Sequence, residues 1–191
     1  SPDFLNADVA DLRESRWATW KPGRPNSWNS DYAAALDKVL SDWAAFRPDA
    51  VTVPGDLVNG RWMNDQDGTG NFGPDRTARQ RTAIIRRAAN TYYSAWLQRF
   101  SDHGLPVYAG IGDHDLGDNP WNGSKLNDEK REHAPLFRSL FARYFTQDPG
   151  GSYRFSNRPV GSPWEGTAYA VRPDPEVQLV MLDVFRSLSR D

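Results

Sequence analysis

Two stretches of this chain end a short apolar run, β-branched in the first, in glycine and follow it at once with acid. The first is Val51-Thr52-Val53-Pro54-Gly55-Asp56, continuing as Leu57-Val58-Asn59-Gly60. The second is Pro106-Val107-Tyr108-Ala109-Gly110-Ile111-Gly112-Asp113-His114-Asp115, which sets a histidine between two carboxylates. A weaker third version opens the chain, where Phe4-Leu5 leads into Asp8 and Asp11. In an open parallel sheet, ligands bind outside the carboxyl ends of the strands. Three strands that each end in aspartate therefore gather their acids at one rim, and clustered carboxylates are ligands for hard cations.

The intervening sequence must supply helices to cross between these strands. Residues 30 to 46 place Tyr32, Leu36, Val39, Leu40, Trp43 and Phe46 at a 3.6-residue period, with Asn29 or Ser30 as N-cap and Pro48 as stop. A longer helix is expected from Asp75 to His103, turning Ile84, Ile85, Ala88, Tyr92, Trp96, Leu97 and Phe100 inward and ending at Gly104. Its arginines read as a solvated face, and His103 as a C-terminal residue favourable to the helix dipole. A third helix is expected to start near Pro135, which suits a first-turn position, with His133 just ahead of it. Residues 3 to 7 read as the first strand, 12 to 30 and 60 to 74 as loops. After Gly150-Gly151 the chain turns strand-like, with a stretch over 152 to 155 and a hairpin pairing Tyr169–Val171 with Gln178–Leu182.

Composition bounds the rest. The 191 residues suit one domain spanning 1–191, with a net charge of -2 that argues against a general nucleic-acid coat. No apolar run approaches the ~20 residues of a membrane-spanning helix, so no membrane partner is expected. Cysteine is absent, which removes thiolate ligands. Eight tryptophans and a preference for arginine over lysine incline towards an exported or viral protein.

The strand-end motifs resemble those of the calcineurin-like metallophosphoesterase family. Gly55-Asp56-Leu57-Val58-Asn59-Gly60 is similar to the family's second motif, with Asn59 where an acid often stands. Gly112-Asp113-His114-Asp115 is similar to its third, with Asp113 in place of the usual asparagine. Leu179-Val180-Met181-Leu182-Asp183 looks like a later family strand, although Asp183 has no motif of its own. The resemblance implies an α/β fold, a sheet sandwich flanked by helices, and two divalent cations. Asp8 would hold the first cation, Asp113 the second, and Asp56 would bridge them. A water activated between the cations would attack phosphorus. His114 would stabilise the transition state or protonate the leaving oxygen, with Asp115 orienting its imidazole.

The sequence also departs from the family. Ala10 stands where the first motif has its histidine, and Asp11 is near enough to substitute as an oxygen ligand. The two later histidine motifs are missing, since the only histidines are His103, His114 and His133. An oxygen-rich set favours Mn²⁺, Mg²⁺ or Ca²⁺ over Zn²⁺ or iron. The fold is expected to be incomplete at its C-terminal side, to be completed by further residues or a partner chain. Two functions stay open: a hydrolase of phosphoesters (monoester, diester or nucleic acid), weak or inactive in this form, or a non-catalytic binding domain that keeps the fold.

Overall fold

The computed structural model describes residues 18–19, 27–28, 30–58, 60, 62, 74–117 and 125–185. It is a mixed α/β structure whose described residues form three helices and three two-stranded sheets. In chain order these are β1 (Ala18–Thr19), β2 (Ser27–Trp28), α1 (Ser30–Ala45), β3 (Val51–Val53), α2 (Ala78–Asp102), β4 (Val107–Ala109), α3 (Lys125–Phe141), β5 (Tyr169–Asp174) and β6 (Val177–Met181). A 3₁₀ turn, His114–Leu116, follows β4, and a π turn, Ala142–Thr146, continues α3.

The pair that matters most is β3 with β4. The runs Val51-Thr52-Val53 and Val107-Tyr108-Ala109 are rich in β-branched and aromatic residues, which fit a pleated, half-buried surface. They lie parallel with Val51 beside Val107, Thr52 beside Tyr108 and Val53 beside Ala109. Bonds from Val51 N to the Pro106 carbonyl and from Gly110 N to the Val53 carbonyl, each 2.8 Å, extend the ladder at both ends. Because the strands are parallel and in step, both chains leave the sheet at the same edge. The expectation of two parallel strands delivering acid to one rim is met for these two. The strand expected over 3 to 7, with Asp8 and Asp11, lies outside the described residues.

Helix α2 is the centre of the core. Thr77 and Gln80 form a reciprocal capping box at its start, satisfying two amides that would otherwise lack partners. Ile84, Ile85, Ala88, Tyr92, Trp96 and Phe100 are buried along it, as the periodicity anticipates; Ala89 and Tyr93 are buried as well, and Leu97, expected inward, is only half-buried. Against this stripe lies Trp62, 1% exposed. Its ring stacks on Tyr92 and Phe137 at centroid distances of 6.0 and 5.7 Å and meets Tyr93 edge-on at 5.5 Å. A residue expected in a loop is thus a central plug of the core.

Three expectations need correction. Helix α1 buries Leu40 and packs Leu36 and Ala44 against the core, the stripe at four-residue spacing. Val39, Trp43 and Phe46, one step round the helix, are exposed. Helix α3 begins at Lys125, ten residues before Pro135, so Pro135 and His133 are interior. The run from Lys125 to Ala134 is rich in good helix formers, and Pro135 sits on the exposed side. The segment 12 to 30 also contains a ladder, Ala18 opposite Trp28 and Thr19 opposite Ser27.

The hairpin is present as antiparallel β5 and β6, with Tyr169 opposite Met181 and Val171 opposite Leu179. The stretch 152 to 155 makes only an isolated bridge, Tyr153 with Gln147. Phe155, Tyr169 and Met181 form a small second core that reaches Tyr108 of β4, and the Tyr169 hydroxyl donates to the Ala109 carbonyl at 2.9 Å. Beyond β6, Asp183 has a defined structural role. Its side chain is 0% exposed and pairs with Arg138 of α3, 2.7 Å from Nε to Oδ2. It also accepts from the Thr167 hydroxyl at 2.7 Å and the Phe185 amide at 3.1 Å. Removing one partner of a buried pair leaves the other charge uncompensated. Asp183→Ala should therefore lower the unfolding free energy by about 3–5 kcal/mol in urea at pH 7. A loss below about 1 kcal/mol would show that the pair carries no such weight.

Candidate metal centre

The loops after β3 and β4 interlock backbone to backbone. Gly55 takes φ 114° and Asp56 φ 57°. The left-handed region is open to glycine, but a non-glycine residue there is strained unless its surroundings hold it. The surroundings here are specific. A Cβ on Gly55 would come within 2.6 Å of Gly112 N, and one on Gly112 would overlap the Asp56 carboxylate. Two glycines at matching strand ends thus allow a contact too close for any side chain.

Asp115 holds this contact together. It is 0% exposed. Its Oδ2 accepts from the amides of Asp56 at 2.8 Å and Gly112 at 3.0 Å, one from each loop. Its Oδ1 accepts from the Tyr93 hydroxyl at 3.1 Å, on the central helix. Tyr93 is itself boxed in by Phe141, Tyr144 and Phe145 at ring distances of 6.1, 5.7 and 5.1 Å. A second tie runs from Trp96 Nε1 to the Leu57 carbonyl at 2.8 Å. Asp115 therefore does different work from that expected of it: the orienting it performs is of the two backbone loops. Burial raises its pKa to about 7, against the lowering effect of the bonds from Gly112, Asp56 and Tyr93. Burial first, and the neighbouring Asp115 charge second, hold the Tyr93 hydroxyl well above its usual range.

With the loops fixed in this way, three side chains converge. One donor atom from each of Asp56, Asp113 and His114 lies within 4.8 Å of the other two, all half-buried. Ligands about 2.0–2.6 Å from a common ion lie no more than about 5 Å apart, so the three span one coordination sphere. The His114 amide donates to Asp56 Oδ1 at 3.2 Å, fixing that carboxylate over Gly112. The 3₁₀ turn places Asp113 and His114 at the surface while Leu116 anchors it in the core at 0% exposure. Two carboxylates and an imidazole form a mixed oxygen and nitrogen donor set suited to divalent cations.

Of the five residues singled out by the sequence, Asp56, Asp113 and His114 are brought together, and Asp115 lies directly beneath them. Asp8 lies outside the described residues. His103 ends α2, with Nε2 3.5 Å from Asp37, away from the cluster. Sequence reasoning missed Tyr93 and Trp96. The helical period marks Trp96 as inward and leaves Tyr93 out, and nothing in it says that the polar atoms of either reach the site loops.

Two outcomes test this construction. Gly112→Ala pushes the Asp56 carboxylate out of the cluster, so Mn²⁺ affinity measured by calorimetry should fall tenfold or more while the far-ultraviolet dichroism is kept. Unchanged affinity would contradict the close contact. The second concerns pH. In the metal-free protein Asp115 keeps its proton up to about pH 7, whereas the unfolded chain releases it near 3.8. Between those values the folded state binds more protons, so this residue's contribution to stability falls as pH rises and then levels off. Asp115→Asn should remove that slope, seen as a native-minus-variant difference in urea midpoint that changes between pH 5 and 7 and is flat from 7.5 to 8.5. A difference constant across the whole range would show that Asp115 titrates elsewhere.

Comparison of the chain with protein-family models, with curated proteins and with solved structures finds no match in any of the three.

Proposed function

We propose that the protein is a metal-dependent phosphoester hydrolase whose centre is built on Asp56, Asp113 and His114. The observation that carries this reading is their convergence at the carboxyl ends of two in-register parallel strands. The motif resemblance at Gly55-Asp56 and Gly112-Asp113-His114-Asp115 and the mixed α/β architecture support it. A metallophosphoesterase-type sheet sandwich is part of the proposal, with β3–β4 in one layer and β5–β6 in the other.

The residues present fit a divalent cation by donor chemistry. Asp56 and Asp113 supply oxygen, and His114 stands close enough to supply nitrogen. Two carboxylates held side by side repel one another in the absence of a cation, so the metal-free arrangement is poised to gain from binding one. When bound, a divalent cation would lower the pKa of a coordinated water and neutralise charge on a phosphoryl group. Asp56 keeps its geometry through the His114 amide and the Asp115 clamp, so its carboxylate is held at the cluster before a cation arrives. His114, beside the carboxylates at a half-buried position, is placed to donate a proton to a leaving oxygen or to ligate. A second cation, held by Asp56 and Asp8, belongs to the proposal on the strength of the motif alone. Mn²⁺, Mg²⁺ and Ca²⁺ are the favoured ions, and the substrate is a phosphoester, monoester or diester, with nucleic acid included.

Turnover of p-nitrophenyl phosphate and of its bis-ester should appear on adding Mn²⁺ to metal-stripped protein and disappear with chelator. Asp56→Ala should reduce kcat at least a hundredfold, and His114→Ala should reduce kcat more than it raises KM. Equal rates in native protein and Asp56→Ala would reject the hydrolase and favour a binding domain.

A further inference from the structure

The hairpin side of the molecule carries a second polar cleft, and no residue of the Asp56 cluster lines it. Its volume is about 270 Å³, and it is lined by Arg154, Phe155, Ser156, Asn157, Ala170, Val171, Arg172 and Gln178. The floor is tied down on both sides. The Ala170 amide donates to the Asn157 carbonyl at 2.8 Å, and the Arg154 amide to the Thr146 carbonyl at 2.8 Å. Phe155 is stacked flat on Tyr169, with centroids 4.0 Å apart and an angle of 4°, so that face of its ring is already covered.

The cleft carries positive charge. It holds two guanidinium groups and no acid. Arg172 donates from Nη1 to the Pro175 carbonyl at 3.1 Å and from Nη2 to Gln178 Oε1 at 3.3 Å, both neutral acceptors. These bonds orient its fork without cancelling its charge. The Arg154 guanidinium lies 5.5 Å from the centroid of the Phe155 ring. Neither has a carboxylate partner among the described residues. Their neighbour Arg158 is the contrast, since it is neutralised by Glu165 at 3.2 Å and packs over Tyr153 at 4.5 Å.

We infer that the cleft between Arg154 and Arg172 is a binding site for a small oxyanion-bearing molecule, a phosphate or carboxylate attached to a compact polar body. A planar guanidinium fork matches either group with paired hydrogen bonds. Ser156, Asn157 and Gln178 supply neutral donors and acceptors for the remainder. The volume exceeds that of the anion alone and falls short of the usual range for drug-sized ligands. The site does not depend on the hydrolase reading, because its residues and its charge are separate from the metal centre.

The test is a nuclear magnetic resonance titration of ¹⁵N-labelled protein, stripped on chelating resin so that no carboxylate chelator competes. Inorganic phosphate and malonate are the two probes, at low ionic strength. Saturable shifts of the Arg154, Ser156, Asn157, Arg172 and Gln178 amides are expected, weakening as salt is raised. The tighter of the two probes identifies the anion. Arg154→Gln combined with Arg172→Gln should weaken binding at least tenfold, Arg172→Lys should weaken it less, and Arg158→Gln should leave it within twofold. Linear, non-saturating shifts would overturn the inference. So would saturable shifts centred on Asp113 and His114, or a folded double variant that binds like the native chain. Mapping on the native protein decides the matter even if the double variant does not fold.

Discussion

A single buried carboxylate holds the site loops in place. Asp115 draws two backbone amides, one from each strand-end loop, onto one oxygen and anchors the other oxygen to the central helix through Tyr93. Without it, the Asp56 and Gly112 amides would lose their shared acceptor where the two loops touch, and the Gly112 amide is buried. An unpaired buried polar group costs about 1–3 kcal/mol, enough to push the loops apart. Asp115 links the core to the surface: aromatic packing fixes Tyr93, Tyr93 fixes Asp115, and Asp115 fixes the backbone from which Asp56 and Asp113 project.

That arrangement explains why a strained residue is tolerated. Asp56 in the left-handed region is disfavoured by roughly 1–3 kcal/mol, yet its amide, its carboxylate and the following carbonyl are each held by a separate partner: Asp115, His114 and Trp96. Strain held by surrounding bonds gives a carboxylate whose direction is set before a ligand arrives. The clustering of acids works in the other direction. Burial and the Asp56 charge both favour a protonated Asp115, and a cation at the neighbouring carboxylates would relieve the repulsion.

The sequence made part of this legible. Short apolar runs ending in glycine and aspartate signalled β3 and β4 and placed Asp56, Asp113 and His114 at one rim, because strand-end chemistry is local and written in consecutive residues. The inward face of α2 and the β5–β6 hairpin were readable for the same reason. What stayed hidden depends on distance along the chain. Tyr93 meeting Asp115, Trp96 meeting Leu57 and Arg138 meeting Asp183 are bonds between residues separated by 22, 39 and 45 positions, and no periodicity encodes them. Pro135 misled because proline favours a first turn, while a preceding run of ten residues rich in good helix formers and an exposed position allow it inside α3. On α1 the apolar period covers two adjacent stripes, and only tertiary packing selects Leu36, Leu40 and Ala44 over Val39, Trp43 and Phe46.

In the function proposed here, Asp56, Asp113 and His114 share a divalent cation. The most direct measurement is a crystal structure of the protein grown with Mn²⁺, with anomalous difference maps recorded at the manganese edge. A peak is expected within about 2.0–2.3 Å of one carboxylate oxygen from each aspartate and a His114 ring nitrogen. Well-ordered loops with no anomalous peak between these three side chains, or a manganese bound only elsewhere on the surface, would contradict it.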